Sequence, residues 1–246
     1  MTFDKRKIVT LLLKQNGLFK GTKFKNHKYI GDPLNVIRIF NKKKIDELVL
    51  FDIDASLENK EPNYDLLSKI TRESEMPFSY GGGLRDIEVV KKVTRLGVEK
   101  ISINTALFKN NSFVEDCIRY LGSQSVMASI DLKKTIFGKY KAYSYSGKIK
   151  NNIDITKHIK NLETKGIGEI LLNFIDRDGM MSGTDLDYGD ELAKKLTIPV
   201  VISGGICSKD EIKKIFKSNI SAIAASSLFV FNKKKEVLIN YPNFYE

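Results

Sequence analysis

Short, almost continuous apolar runs alternate along the chain with longer stretches in which apolar residues recur every three or four positions. The runs "KIVTLLL", "ELVLFDI", "PFSYGGG", "KISIN", "VMASIDL", "EILLNFI", "PVVISGG" and "AIAASS" predict eight strands. They lack polar alternation, which suits strands buried on both faces of a parallel sheet. Between them, "DPLNVIRIFNKK", "NYDLLSKITRES", "DIEVVKKVTRLG", "SFVEDCIRYLG", "DITKHIKNLETKG", "LDYGDELAKKL" and "SKDEIKKIFKSN" predict helices. Several follow Asp, Asn or Ser, as N-caps do, and several end at Gly. Eight strands alternating with helices in 246 residues predict a single (β/α)8 barrel domain, residues 1–246.

The pattern also repeats. "ELVLFDIDAS" (47–56) returns as "EILLNFIDRDG" (169–179), and "MPFSYGGGLRDIEVV" (76–90) as "IPVVISGGICSKDEI" (198–212). "EKISINTALF" (99–108) returns as "SAIAASSLFV" (221–230). The offset is close to half the chain, so the domain divides into half-barrels of about 1–121 and 122–246. The same offset sets Leu12, near the end of the first strand, against Asp131 at the end of the fifth.

Composition adds limits. Lys and Arg total 41 against 30 Asp and Glu, a net charge of +11. Such a balance suits nucleic acid or another polyanion, but also an ordinary lysine-rich solvated surface. The lysines are dispersed, and no arginine–aromatic interleaving or nucleic-acid motif accompanies them. The second reading is preferred, with the positive field still able to gather a phosphorylated substrate. No stretch of about 18 apolar residues is present, so no membrane span is expected. The N-terminus has no signal-peptide pattern. Cys117 and Cys207 lack metal spacing and read as reduced thiols of a cytoplasmic protein.

The chemistry of such a barrel belongs at the C-terminal ends of its strands. "GGG" (81–83) and "SGG" (203–205) end the third and seventh strands, placing Gly82, Gly83, Gly204 and Gly205 where a phosphate could approach backbone N–H groups. Asn104 and Thr105, and Ala225 and Ser226, end the fourth and eighth strands just before the next helices. Two phosphate cradles on opposite sides of one mouth compete here with purely structural turns. Carboxylates stand at three strand ends: Asp52 with Asp54, Asp131, and Asp176 with Asp178. Asp54 and Asp178 also suit loop ion pairs. Asp131 directly follows a buried strand and is the candidate general acid or base. Ser146 and Gly147 fall on the next loop, which reads as a lid. At the opposite strand ends, Arg6, Glu47, Lys100 and Glu169 alternate in sign. They read as a ring of ion pairs that either closes the barrel bottom or gates a passage along its axis. No metal or activated-nucleophile pattern is present, and no cofactor is implied. His27 lacks a partner at ligand spacing, and His158 reads as a surface residue.

These residues carry a resemblance. "KGTKF", "GDP", "DELVLFDIDAS", "KISINTA", "ASID", "YSGK", "GEILL", "IDRDG" and "AAS", in this order over nearly the whole chain, resemble the cyclase subunit (HisF-type) of imidazole glycerol phosphate synthase. The resemblance implies a (β/α)8 barrel fed with ammonia at its bottom by a separate glutaminase (HisH-type) subunit. Ammonia then closes an imidazole ring on a bis-phosphorylated ribonucleotide at the mouth. It implies an ammonia gate at Arg6, Glu47, Lys100 and Glu169. Phosphate sites are implied at Gly83, Asn104 and Thr105, and at Gly179, Gly205 and Ser226, with a loop lysine at Lys20. Of two catalytic aspartates, Asp131 is matched, whereas Leu12 stands at the other position and Gln15 where a further acid is usual. Leucine cannot transfer a proton, and general acid–base catalysis is worth about 10²–10⁴-fold.

"LLLKQNGLFKGTKF" and "YIGDPLNVIRIFN" more closely resemble a divergent (WbuZ-type) branch associated with surface glycans. That branch implies an ATP-dependent sugar amidotransferase as a further partner and an acetamidino sugar as product. Three readings stand at this point: ammonia conduction for glycan amidation, cyclase activity in histidine biosynthesis, and a non-conducting scaffold that activates the glutaminase.

Overall fold

The computed structural model describes residues 5–231 and residue 239. The outermost parts of the expected 1–246 domain, residues 1–4, 232–238 and 240–246, lie outside the described residues. The first half runs β1 (Arg6–Lys14), β2 (Gly17–Thr22), β3 (Lys25–Gly31), α1 (Pro33–Lys43), β4 (Glu47–Asp52), α2 (Tyr64–Glu73), β5 (Phe78–Gly81), α3 (Ile87–Arg95), β6 (Lys100–Ile103) and α4 (Asn111–Leu121). The second runs β7 (Val126–Lys134), β8 (Tyr140–Ser144), β9 (Ile149–Asn151), α5 (Ile155–Thr164), β10 (Glu169–Phe174), α6 (Leu186–Ala193), β11 (Val200–Ser203), α7 (Lys209–Ile215), β12 (Ala222–Ala225) and α8 (Ser227–Val230).

The strands β1, β4, β5, β6, β7, β10, β11 and β12 pair in parallel in that order, and β12 pairs back with β1. The sheet therefore closes as an eight-stranded parallel barrel with helices between its strands, the (β/α)8 architecture expected. The expected helices form where their caps lie. Asp32, Asn63, Asp86, Asn110, Asp154, Asp185 and Ser208 each accept a hydrogen bond from a first-turn backbone N–H of α1 to α7 respectively.

Both faces of the barrel wall are buried. Its outer face packs on the helices around Phe40, Leu67, Val90, Ile159 and Phe229. Its inner face is filled by Ile8, Val49, Met127, Leu171, Val201, Ala222 and Ala224. Double burial is the physical reason that these strands lack polar alternation.

Two antiparallel extensions depart from the sequence expectation. β1 continues past the barrel and folds back onto β2, with Leu12 opposite Phe19 and Lys14 opposite Gly17. The connecting Gln15 and Asn16 have φ of 48° and 63°, the left-handed pair of a two-residue hairpin turn. Gln15 is thus a turn residue. β3 pairs with β2 in turn. The second half repeats the device with β7, β8 and β9. The expected lid at Ser146 and Gly147 is the turn of the β8–β9 hairpin, with Ser146 Oγ donating to Ile53 O at 2.8 Å. His158 is another correction. It is half-buried and stacks on Phe108 with ring centroids 5.0 Å apart, because α5 turns it inward. Cys117 is buried and Cys207 partly exposed, both as free thiols.

Candidate functional site

The barrel wall has two chemically distinct ends. At the N-terminal strand ends, Arg6, Glu47, Lys100 and Glu169 meet in one closed ring. Arg6 bonds both carboxylates, with Nη1 2.5 Å from Glu47 Oε2 and Nη2 on Glu169 Oε1. Lys100 Nζ lies 3.3 Å from Glu47 Oε1 and 3.0 Å from Glu169 Oε2. Ser79 Oγ also donates to Glu47. Both carboxylates are buried, and each is held by two cations. Above the ring the interior is apolar up to Thr10, Ser102, Ser129 and Ser203, whose side chains line the opening at the other end.

That opening is a cavity of about 540 Å³. Leu12, Lys20, Asp52, Gly82, Gly83, Asn104, Thr105, Asp131 and Asp178 all line it, so the strand-end residues expected at one mouth do converge there. Gly179, Gly204, Gly205, Ala225 and Ser226 line a second, much smaller cavity of about 10 Å³, room for about one water. Asp178 and Ser203 border both cavities.

Asp131 is 7% exposed, and Asn173 Nδ2 donates to its Oδ1 at 3.2 Å. Burial pushes its carboxyl up to about 7, against the Asn173 hydrogen bond and with help from Asp178. A carboxyl poised near neutrality can both give and take a proton at physiological pH. Leu12 lines the same cavity and pairs across the barrel wall with Phe51, which also lines it. Asp52 is pushed up by burial while its Oδ1 accepts from the backbone of Ala55 and Asp54. It therefore holds the loop after β4 as well as facing the cavity. Lys20, on β2, is buried and ion-paired to Asp178 at 2.7 Å. Lys14 pairs with Asp54 at 3.2 Å.

The two glycine-rich ends are built alike. Gly82 and Gly204 have φ of 126° and 95°. A Cβ would come within 2.4 Å of Asp52 O at Gly82 and 2.5 Å of Phe174 O at Gly204, so neither site accepts a side chain. Around them the chemistry differs. Asn104 Nδ2 donates to Ser129 O and Tyr143 O, and Thr105 Oγ1 accepts from Tyr145 N, so both side chains brace the β8–β9 hairpin. In the second half, the buried hydroxyls of Ser226 and Ser227 have no hydrogen-bond partner among the described residues. Unpaired buried hydroxyls beside open glycine backbone suit an anion.

Sequence reading missed several lining residues. His27 enters the cavity because β3 pairs back onto β2, and burial and then Lys14 push its imidazole down. Lys148 arrives from the β8–β9 turn. Asn173 was accessible from the repeat, since "ELVLF" over "EILLN" sets Phe51 against Asn173 and so marks an inward position.

Comparison with known proteins agrees with this geometry. The family model "Histidine biosynthesis protein" matches residues 11–235. The chain is 45% identical to the hisF2 protein of Pseudomonas aeruginosa over 97% of its length and 96% of the relative's. It is 42% identical to the hisF3 protein of Vibrio vulnificus over 97% and 93%. Both of those carry the name imidazole glycerol phosphate synthase subunit only provisionally. The imidazole glycerol phosphate synthase subunit HisF of a Hydrogenobaculum species is 36% identical over 93% and 91%. With a barrel closed in the expected order and relatives matched over nearly their whole length, the chain belongs to the histidine biosynthesis protein family, as a HisF-like imidazole glycerol phosphate synthase subunit.

Proposed function

We propose that this HisF-like subunit receives ammonia from a glutaminase partner at the face bearing the Arg6–Glu47–Lys100–Glu169 ring. It passes the ammonia through the barrel and delivers it at the mouth for acetamidino formation on a surface-glycan sugar. One observation carries the reading: the ring at the entrance is complete, whereas at the mouth the place that matches Asp131 and Asn173 in the other half is filled by Leu12 and Phe51. Four interlocked charges at the entrance can admit or hold back a small molecule as well as close the barrel bottom. Ring closure chemistry, by contrast, calls for two proton-transfer groups, and one has become an apolar wall. The acceptor enzyme in this reading is an ATP-dependent sugar amidotransferase, which supplies the activation that the barrel itself does not. The two glycine cradles are the phosphate sites of this reading, with Gly82, Gly83, Asn104 and Thr105 on one side and, on the other, Gly179, Gly204, Gly205, Ala225 and Ser226, whose small cavity must widen to admit an anion.

A second reading, cyclase activity in histidine biosynthesis, is favoured by the carboxyl of Asp131 near neutrality. Complementation of a histidine auxotroph lacking the cyclase separates the two. We expect no growth, and robust growth overturns the amidation reading. In a reconstituted complex with the glutaminase, Lys100→Met should separate glutamine hydrolysis from ammonia arrival at the mouth. Unchanged coupling supports a non-conducting scaffold instead.

A further inference from the structure

The hairpin formed by β7 and β8 ends in a tip unlike any other among the described residues. Ile136 is 94% exposed and Phe137 83%, the highest values among the exposed large apolar side chains of the described residues. They are not on a slack loop. Thr135 N donates to Lys139 O at 2.8 Å and Gly138 N to Thr135 O at 2.9 Å, closing the turn. Directly below, Lys134 Nζ and the Tyr140 hydroxyl both reach Asp185, at 2.7 and 2.6 Å. The Tyr140 ring packs on Tyr188 and Phe174 at 4.4 and 5.2 Å between centroids. The stem is thus anchored to the barrel while two apolar side chains stand in water. The corresponding turn of the first half, Gln15–Asn16, is polar and two residues long.

The charge carried by the hairpin itself is one-sided, although Asp176 and Asp185 of neighbouring loops accept from Lys134 and Tyr140 in its stem. Residues 133–151 contain six lysines (133, 134, 139, 141, 148 and 150) and no Asp or Glu. Among the described residues only Lys134 of these has an ion pair. The hairpin rises from β7, the strand that carries Asp131, and its continuation β8–β9 is tied over the mouth through Tyr145 N to Thr105 and Ser146 to Ile53 O. The tip thus projects from the same end of the barrel as the mouth.

We propose that the Ile136–Phe137 tip docks the acceptor enzyme: it enters an apolar pocket rimmed by carboxylates on the protein that uses what leaves the barrel. An apolar anchor on a braced turn, in a lysine-rich hairpin, is the arrangement of an interface hot spot, with part of the ordering cost already met in the free protein and the charges steering the encounter. A protein partner fits better than a lipid surface, because a bilayer resting on the tip would cover the mouth. The inference rests on the delivery reading above, since it assigns the mouth a consumer. It places that consumer on the face opposite the four-charge ring.

The test uses the full-length chain with a HisH-type glutaminase and, as probe, an ATP-dependent sugar amidotransferase of the kind that the delivery reading invokes. Ile136→Ser/Phe137→Ser should weaken amidotransferase binding by tenfold or more, leaving the thermal midpoint and glutaminase binding unchanged. Lys139→Glu/Lys141→Glu should weaken it as well, and raising salt from 50 to 500 mM should narrow the difference between that variant and wild type. Equal binding by wild type and the Ile136/Phe137 variant overturns the proposal, as does no binding by wild type. Tip-dependent binding to phosphatidylglycerol vesicles, with the amidotransferase unaffected, overturns it in favour of a membrane. If the amidotransferase binds through the tip but no ammonia reaches it, the docking stands and the delivery reading fails.

Discussion

Asp131 in β7 sits beside Asn173 in β10, while at the matching place in the other half Leu12 in β1 sits beside Phe51 in β4. The backbones around these pairs are alike. Each half-barrel opens with a strand, an antiparallel hairpin and a helix, and each third strand ends in glycine backbone that admits no side chain. What differs is a two-residue patch on the inner wall. In one half a buried carboxyl is held by an amide. In the other, both members are apolar. The change at Leu12 is therefore not a solitary loss of an acid but half of an apolar pair, because a carboxyl set beside Phe51 would lack the donor that Asn173 gives Asp131. A symmetric scaffold thus carries asymmetric chemistry, and the asymmetry lives in neighbours across the sheet.

The sharpest test concerns Asp131 itself. Its carboxyl titrates near 7 when folded and near the ordinary aspartate value when unfolded, so between those pH values the folded chain holds the extra proton. Stability should fall as pH rises through that window, by as much as about 4 kcal/mol. Asp131→Asn removes the effect. Unfolding curves of wild type and variant should nearly coincide near pH 4, with the variant the more stable at pH 8. Parallel curves across the range would place Asp131 in a polar setting and dissolve the contrast with Leu12.

The next effect lies at the other end of the barrel, where both halves contribute to one ring. Lys100→Met leaves two buried carboxylates sharing Arg6, at a cost of about 3 kcal/mol in urea unfolding. A loss below about 1 kcal/mol would mean that the ring is as dispensable as a surface ion pair.

Gly82→Ala and Gly204→Ala probe the shared scaffold. Each should lose about 1–3 kcal/mol, since each forces a Cβ onto a backbone carbonyl at positive φ. A loss in one half only would show that the scaffold is less symmetric than its backbone.

The finest test is a double-mutant cycle. Leu12→Asp alone adds a poorly paired carboxyl, and Phe51→Asn alone opens a gap. Together they rebuild the Asp131–Asn173 pair, with a favourable coupling of about 0.5–1 kcal/mol expected in denaturant unfolding. Additive effects would mean that neighbours across the sheet do not govern this position.

Much of the barrel was legible in residue order, and for a clear reason. Strands buried on both faces read as apolar runs such as "PVVIS", and α1 to α7 announce themselves by capping residues such as Asp32, Asp86 and Ser208. The hairpins were not legible. β3, "KNHKYIG", is largely exposed and is held by its ladder to β2 rather than by a burial pattern. His27 was missed for the same reason, since only that antiparallel register carries it to the mouth. His158 looked like a surface residue because helical spacing alone does not reveal that Phe108 covers it.

By itself, the sequence determined the order and kind of the barrel elements, the half-chain repeat, the glycines at matched strand ends, and the absence of an acid at position 12. These are local properties, written in side-chain period and in the conformations that Gly, Asn and Asp favour. Tertiary structure decided how the ring of Arg6, Glu47, Lys100 and Glu169 is paired, each cation bridging both carboxylates although up to 163 positions separate its members. It also decided that Asp131 holds its proton near neutrality, and that Leu12 faces Phe51. Charge state and contact depend on the dielectric and on neighbours brought from distant strands, and those exist only once the barrel closes.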